Sequence, residues 1–273
     1  MQQLKNLTNN GFAFKKRFGQ NFIFDSNLLS AIVSDSGITK DDFVIEVGAG
    51  AGTLTTQLAE KAKKVTAFEI DNDLKDELLK ITAQHPNTEV VFTDILKANL
   101  SDYVADNPFK VVANLPYYIT TPVMFYFLDN PLLQSITVMV QKEVAERFVA
   151  LAGTANYGAV TAQLQVYGQP VITRIVSKQN FHPAPKIDSA VVRLDINKRQ
   201  DVKNHKLLQK LIAAAFAMRR KTLANNLASA FAISKDRVEK LLVEEGLSID
   251  VRGEKLDIYT FISLSNALAA EIG

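Results

Sequence analysis

Short β-rich runs alternate with stretches of helical period from residue 43 to residue 151, and that alternation leaves few architectures open. Phe43-Val44-Ile45-Glu46-Val47 reads as a strand that runs into Gly48-Ala49-Gly50-Ala51-Gly52, and residues 53–61 read as a helix. Residues 65–70 form a second strand, 74–81 a second helix and 89–94 a third strand. A fourth strand covers 110–116, a helix 122–128, a fifth strand 136–140 and an amphipathic helix 142–151. Strands joined through helices at this spacing build a doubly wound parallel sheet with helices on both faces. Residues 171–176 and 189–196 read as two further strands with no helix between them, which adds an antiparallel edge.

From about residue 197 the β-rich runs stop. Leu207, Leu208, Leu211, Ile212 and Ala215 recur at helical spacing, as do Val238, Leu241 and Leu242, and 256–268 carries further helix. The expected organisation is a basic arm over 1–20, an α/β domain over 21–197 and a small helical domain over 198–273. A helix near Leu28, Leu29, Ile32 and Val33 is expected to close at Gly37.

In an open α/β sheet, ligands bind beyond the carboxyl ends of the strands. The polar residues at those ends therefore carry the functional reading. Asn114-Leu115-Pro116-Tyr117-Tyr118 closes the fourth strand, because proline lacks a ladder donor and biases the residue before it away from helix. This places an amide side chain, a freed backbone carbonyl and two phenol rings together. An amide oxygen and a carbonyl suit both hydrogens of a nucleobase exocyclic amine and bias its lone pair out of the ring plane. Tyr117 offers a face on which the base stacks, worth roughly 1–3 kcal/mol. At the first strand end, Gly48-x-Gly50-x-Gly52 lets a ligand approach the backbone. Glu69, about twenty residues further on, is placed to grip ribose hydroxyls. Those two features fit NAD as well as S-adenosylmethionine. The G-x-G-x-G spacing, and Asp94 at the third strand end facing an adenine amine, favour S-adenosylmethionine.

Composition excludes some chemistry. The chain of 273 residues has no cysteine, hence no disulfide or thiolate metal site, and its three histidines show no metal-ligand spacing, so no metal is expected. The N-terminus lacks the apolar core of a signal peptide, and no apolar run approaches the ~20 residues needed to cross a bilayer, so a cytoplasmic protein is expected. Net charge is only +2, but basic residues gather toward both ends. Lys15, Lys16 and Arg17 near the start and Arg219-Arg220-Lys221 near the end are candidate contacts to nucleic-acid phosphates.

Taken together, Arg17-Phe18-Gly19-Gln20-Asn21-Phe22, Glu46-Val47-Gly48-Ala49-Gly50, Asn114-Leu115-Pro116-Tyr117 and the run from Phe181-His182-Pro183-Ala184-Pro185-Lys186 to Val191 resemble the rRNA adenine dimethyltransferase family, from about residue 15 to the end of the chain. The resemblance is to the KsgA-type branch, which acts on the small ribosomal subunit, more than to the Erm branch. Ala217-Met218-Arg219-Arg220-Lys221-Thr222-Leu223 and the length of the helical tail carry that distinction. It implies a Rossmann-like, S-adenosylmethionine-dependent methyltransferase that dimethylates two adjacent adenosines in the 3′-terminal hairpin of 16S rRNA, late in subunit assembly. Nothing in the sequence suggests an obligate dimer, and a monomer is expected.

Carried over by position, Asn21, the backbone at Ile23, Gly48, Gly50, Glu69, Ile70 and Asp94 hold the cofactor. Asn114 stands between cofactor and target, beside the Leu115 carbonyl, and Tyr117 and Phe181 sandwich the flipped adenine. Tyr118 departs from the Asn found in many bacterial members. Three alternatives stay open: an Erm-like enzyme of large-subunit rRNA, an assembly factor that acts mainly by binding, and a DNA adenine methyltransferase. The last usually has a second proline where Leu115 stands.

Overall fold

A computed structural model describes Lys15 and residues 20–116, 119–197 and 201–272. These described residues divide into two compact units: those up to Ala145 together with Val171–Ile196, and Glu146–Pro170 together with those from Asn197 onward.

The first unit is built on a seven-stranded sheet. In chain order its strands are β2 (Phe43–Val47), β3 (Lys64–Glu69), β4 (Thr88–Phe92), β5 (Phe109–Asn114), β6 (Leu133–Gln141), β7 (Val171–Val176) and β9 (Ser189–Asp195). The spatial order is β4-β3-β2-β5-β6-β9-β7. β4 through β6 run parallel, while β9 is antiparallel to both β6 and β7. The chain thus steps outward from β2 to β4, then returns to lay β5 against the other side of β2. That reversal opens a crevice at the carboxyl ends of β2 and β5.

β2 can occupy the centre because four of its five residues are buried. Val47 pairs with Phe68 on one side and Ala113 on the other. A strand covered on both faces cannot alternate polar and apolar residues, and its near-continuous apolar run follows from that position. Helices Ser26–Asp35, Thr53–Lys61 and Lys75–Gln84 supply the cover with Leu29, Ile32, Leu54, Leu58, Leu78 and Ile81, all buried in one cluster. The Ser26–Asp35 helix starts where the Asp25 carboxylate accepts from the Asn27 and Leu28 N–H groups. It ends at Ser36, followed by Gly37 at φ 63°, the left-handed residue the sequence leads one to expect.

In this unit two departures from the sequence reading bear on the site. Phe22-Ile23 belongs to a second, two-stranded sheet, in which β1 (Phe22–Ile23) runs antiparallel to β8 (Phe181–His182). The pairing joins residues about 160 positions apart, and two-residue strands leave no periodic signature. The third parallel strand stops at Phe92 instead of 94, because the Asp94 carboxylate accepts from the Leu96 N–H and caps the turn Ile95–Lys97.

The second unit is helical: Ala159–Gln165, His205–Ala217, Leu223–Phe231, Lys235–Glu244 and Ile258–Ile272. Residues 146–170, which fall within the α/β span of 21–197 in the sequence reading, cluster with this unit. The reason is side-chain packing. Helix Ala159–Gln165 lies against His205–Ala217, the Tyr157 hydroxyl donates to the Leu256 carbonyl at 2.9 Å, and the Tyr157 ring meets Phe216 edge-on. Leu208, Leu211, Ile212, Leu227, Leu242 and Phe261 complete the core. Among the described residues no helix is long and apolar enough to cross a membrane.

Candidate active site at the sheet switch point

The carboxyl ends of β2, β3 and β5, together with residues 20–23 and 93–96, enclose a cavity of about 310 Å³. Gly48 and Gly50 lie in its floor, Glu69 and Ile70 in one wall, Asp94 in a second, and Asn21 and Ile23 in a third, with Asn114 and Leu115 at the end of β5. The residues singled out for the cofactor from sequence are thus brought to one space.

Gly50 shows why the floor carries no side chain. Its φ is +56°, and a Cβ there would lie 2.8 Å from Phe22 Cε1. The glycine permits both the left-handed turn and the seating of the Phe22 ring on it. The Gly48 and Ala49 N–H groups both donate to the Phe68 carbonyl, so the loop folds back across the top of β3.

Glu69 is the best-organised polar group in the cavity. Its Oε2 accepts from the Gly50 N–H at 2.8 Å, and its Oε1 from the Ile70 and Asp71 N–H groups at 2.8 and 2.9 Å. Burial (7% exposed) pushes its carboxyl above the ordinary value, and the three backbone donors oppose that. The result is a carboxylate locked in one rotamer with acceptor capacity remaining. Ile70, beside it, is 42% exposed, an apolar surface left open at the wall. Asp94 is half-buried and has one oxygen engaged with Leu96. A fixed acid for a diol, an apolar platform and a second acid within reach fit an adenosine-bearing cofactor.

Asn114 ends β5, half-buried, and its Nδ2 donates to the Asn21 carbonyl at 3.3 Å. That bond sets the amide's orientation, so its oxygen is the group left to accept. Leu115 is buried, and the Pro116 carbonyl accepts from Ile119 N–H and the Thr120 hydroxyl, which turns the chain into helix Thr120–Leu128. Tyr117 and Tyr118 lie outside the described residues. Phe181 does not border the cavity. It is 5% exposed, packed with Ile23, Val176 and Val191, and its backbone pairs with Ile23, so its ring faces are covered in this structure. Lys16 and Arg17 lie outside the described residues, whereas Lys15 pairs with Asp71 and Asp73. Arg219, Arg220 and Lys221 are exposed in the turn between helices His205–Ala217 and Leu223–Phe231. Among the described residues no group of three or more His, Asp or Glu is arranged to hold a metal ion.

The sequence reading passed over two groups. Glu46, on β2 beneath the glycine loop, is 0% exposed. The Thr55 side chain faces it without a geometrically competent hydrogen bond, and neither carboxyl oxygen has a partner. Burial, with the nearby Glu69, pushes its carboxyl up to about 8. A charged residue inside an otherwise apolar central strand is the signal that marks it. Asp71, two residues past Glu69, is the other; nothing in the local sequence shows that its partners lie far away at Lys15 and Gln20.

The description "Ribosomal RNA adenine dimethylase" matches residues 11–270. A protein of Caldanaerobacter subterraneus subsp. tengcongensis named "Ribosomal RNA small subunit methyltransferase A" is 44% identical over 263 residues, covering 93% of this chain and 97% of its own. Among solved structures, a dimethyladenosine transferase from Plasmodium falciparum superposes with a TM-score of 0.78 at 26% identity, covering 89% of this chain and 95% of its own. The 23S rRNA methyltransferase ErmE superposes with 0.72 at 26% identity, covering 91% and 100%. The chain belongs to the ribosomal RNA adenine dimethylase family.

Proposed function

We propose that this protein transfers methyl groups from S-adenosylmethionine to the exocyclic amines of two adjacent adenosines in the 3′-terminal hairpin of 16S rRNA, within the immature small subunit. We place it in the cytoplasm as a monomer. The observation that carries the reading is the Asn114 amide, oriented by Asn21 and set at the rim of the cavity that also holds Glu69. The small-subunit substrate is favoured over the large-subunit one because the relative at 44% identity bears the small-subunit name, whereas ErmE stands at 26%.

In this reading Glu69 accepts the ribose hydroxyls, Asp94 accepts from the adenine amine, Ile70 packs on the adenine face, and Asn21, Ile23, Gly48 and Gly50 close around the rest. Bound S-adenosylmethionine supplies an electrophilic methyl group on sulfonium sulfur. The chain's part is alignment and charge stabilisation. Asn114 Oδ1 and the Leu115 carbonyl accept the two amine hydrogens, turn the nitrogen lone pair outward and stabilise the positive charge that grows there. The proton then passes to water, so no strong general base is assigned. The target base must leave its stack at a cost of a few kcal/mol. Tyr117 offsets part of that by stacking, and Phe181 joins it only if its loop turns a ring face outward. Arg219, Arg220 and Lys221, with Lys16 and Arg17, contact phosphates.

The experiment presents purified protein and radiolabelled S-adenosylmethionine with two acceptors: small subunits from cells lacking the hairpin methylation, and protein-free 23S rRNA. Dimethyladenosine on the small subunit alone supports the reading. Label on 23S rRNA alone makes the protein an Erm-like enzyme. Cofactor binding with no label on either moves the weight to an assembly factor.

A further inference from the structure

Asp71 lies just behind the Glu69 wall with its side chain 1% exposed. Its Oδ1 accepts from Lys15 Nζ at 2.5 Å and its Oδ2 from Gln20 Nε2 at 2.8 Å. Lys15 Nζ also reaches Asp73 Oδ2 at 2.5 Å, and the Lys15 backbone N–H donates to Gln20 Oε1 at 2.8 Å. Lys15, Asp71 and Gln20 therefore form a closed ring of contacts that bridges more than fifty residues of chain. A carboxylate this buried is costly unless it is paired and hydrogen-bonded, and the ring supplies both conditions.

The ring touches the cavity from two directions. Gln20 borders it and leads directly into Asn21, whose carbonyl orients Asn114, and into Phe22, whose ring sits on Gly50. From the other side, the Asp71 N–H is one of the three donors that lock Glu69. The same residue thus fixes both the wall that faces Glu69 and the rotamer of Glu69 itself.

We propose that Lys15 and Asp71 are positioning residues for the cofactor: their ion pair, buried on the Asp71 side, holds residues 20–22 as one wall of the cavity and presets Glu69 from behind. The proposal rests on reading this cavity as the S-adenosylmethionine site. It gives Lys15 a role other than contact with RNA phosphate, since two carboxylates already neutralise its ammonium group.

The test compares the full chain with Lys15→Met, Lys15→Arg, Asp71→Asn, the Lys15→Met/Asp71→Asn double variant and Glu69→Gln. Affinity for S-adenosylhomocysteine is measured by calorimetry, and methylation kinetics use undermethylated small subunits. Loss of a charge-assisted contact that acts through its neighbours is expected to raise Kd about tenfold in Lys15→Met and in Asp71→Asn. The double variant should be no weaker than Asp71→Asn alone, and Lys15→Arg should recover most of the affinity. At saturating cofactor, kcat should fall by no more than Kd rises, since the same segment also orients Asn114. If Asp71→Asn does not fold, Lys15→Met decides, because Lys15 is partly exposed. Unchanged Kd in Lys15→Met overturns the proposal, whether the subunit KM rises or only the thermal stability falls. Unchanged Kd in Glu69→Gln is a different failure: it removes this cavity as the cofactor site altogether.

Discussion

Replacing Glu46 by glutamine tests the energetics of the β2 core directly. The native carboxyl holds its proton up to about pH 8 against a reference value of 4.5, because burial disfavours the anion and Glu69 lies close by. Between those two values the native state binds one proton that the unfolded chain has released. Stability therefore falls as pH rises, by about 1.4 kcal/mol per pH unit for this one group. The contribution is fully present below about pH 4.5 and is lost as pH rises through about 8. By neutral pH the loss amounts to about 3 kcal/mol, a large fraction of a typical domain's stability.

Glutamine keeps the shape and cannot ionise. The difference in unfolding free energy between wild type and Glu46→Gln should therefore move in the variant's favour by about 1.4 kcal/mol per pH unit across that window and be flat below it. Glu69, whose carboxyl is also raised by burial, gives both proteins a slope of the same sign and cancels in the difference. The chain has no tryptophan, so urea unfolding followed by far-ultraviolet circular dichroism over a series of pH values is the assay. Parallel pH profiles for the two proteins, or a difference that grows toward acid, would refute a neutral Glu46.

Asn114→Ala should lower methyl transfer by about a hundredfold or more in single-turnover kinetics, as removal of a preorganised acceptor does. Asn114→Asp should not restore it, because a carboxylate cannot donate to the Asn21 carbonyl. Gly50→Ala forces an alanine to φ +56° and pushes on Phe22, so it should cost about 1–3 kcal/mol and weaken cofactor binding, read by thermal unfolding and calorimetry. Arg219→Glu with Arg220→Glu should weaken small-subunit binding and flatten its salt dependence while leaving cofactor affinity unchanged, checked by filter binding at several ionic strengths.

Much of this was legible in the sequence because parallel strands and their exits leave local marks. Phe43–Val47 reads as a buried strand from a run that is apolar but for Glu46, and the glycine loop, Glu69 and Asn114 fall at strand ends that doubly wound topology brings side by side. Asp94 reads as a strand end although the strand has already closed at Phe92, since an aspartate that caps a turn and one that ends a strand look alike in a string of letters. The grouping of 146–170 with the C-terminal helices was not legible: it depends on Tyr157 meeting Leu256 and Phe216, contacts between residues far apart in the chain.

What the sequence hides is how the cavity is closed, and the closure is the more demanding part of the design. The sheet provides a floor and two walls from residues adjacent in topology. The remaining wall comes from residues 20–23, held by the Asp71 ring, by Asn114 and by the β1–β8 pair. That last pairing puts Ile23 opposite Phe181, so the segment that walls the cavity and the segment expected to hold the target base share one two-stranded sheet. A shift of either segment must drag the other or break their hydrogen bonds, because a two-strand pair has no slack between its backbones. Under the proposed roles, the segment that encloses the cofactor and the segment that meets the target base therefore share one backbone ladder, between residues that no local motif joins.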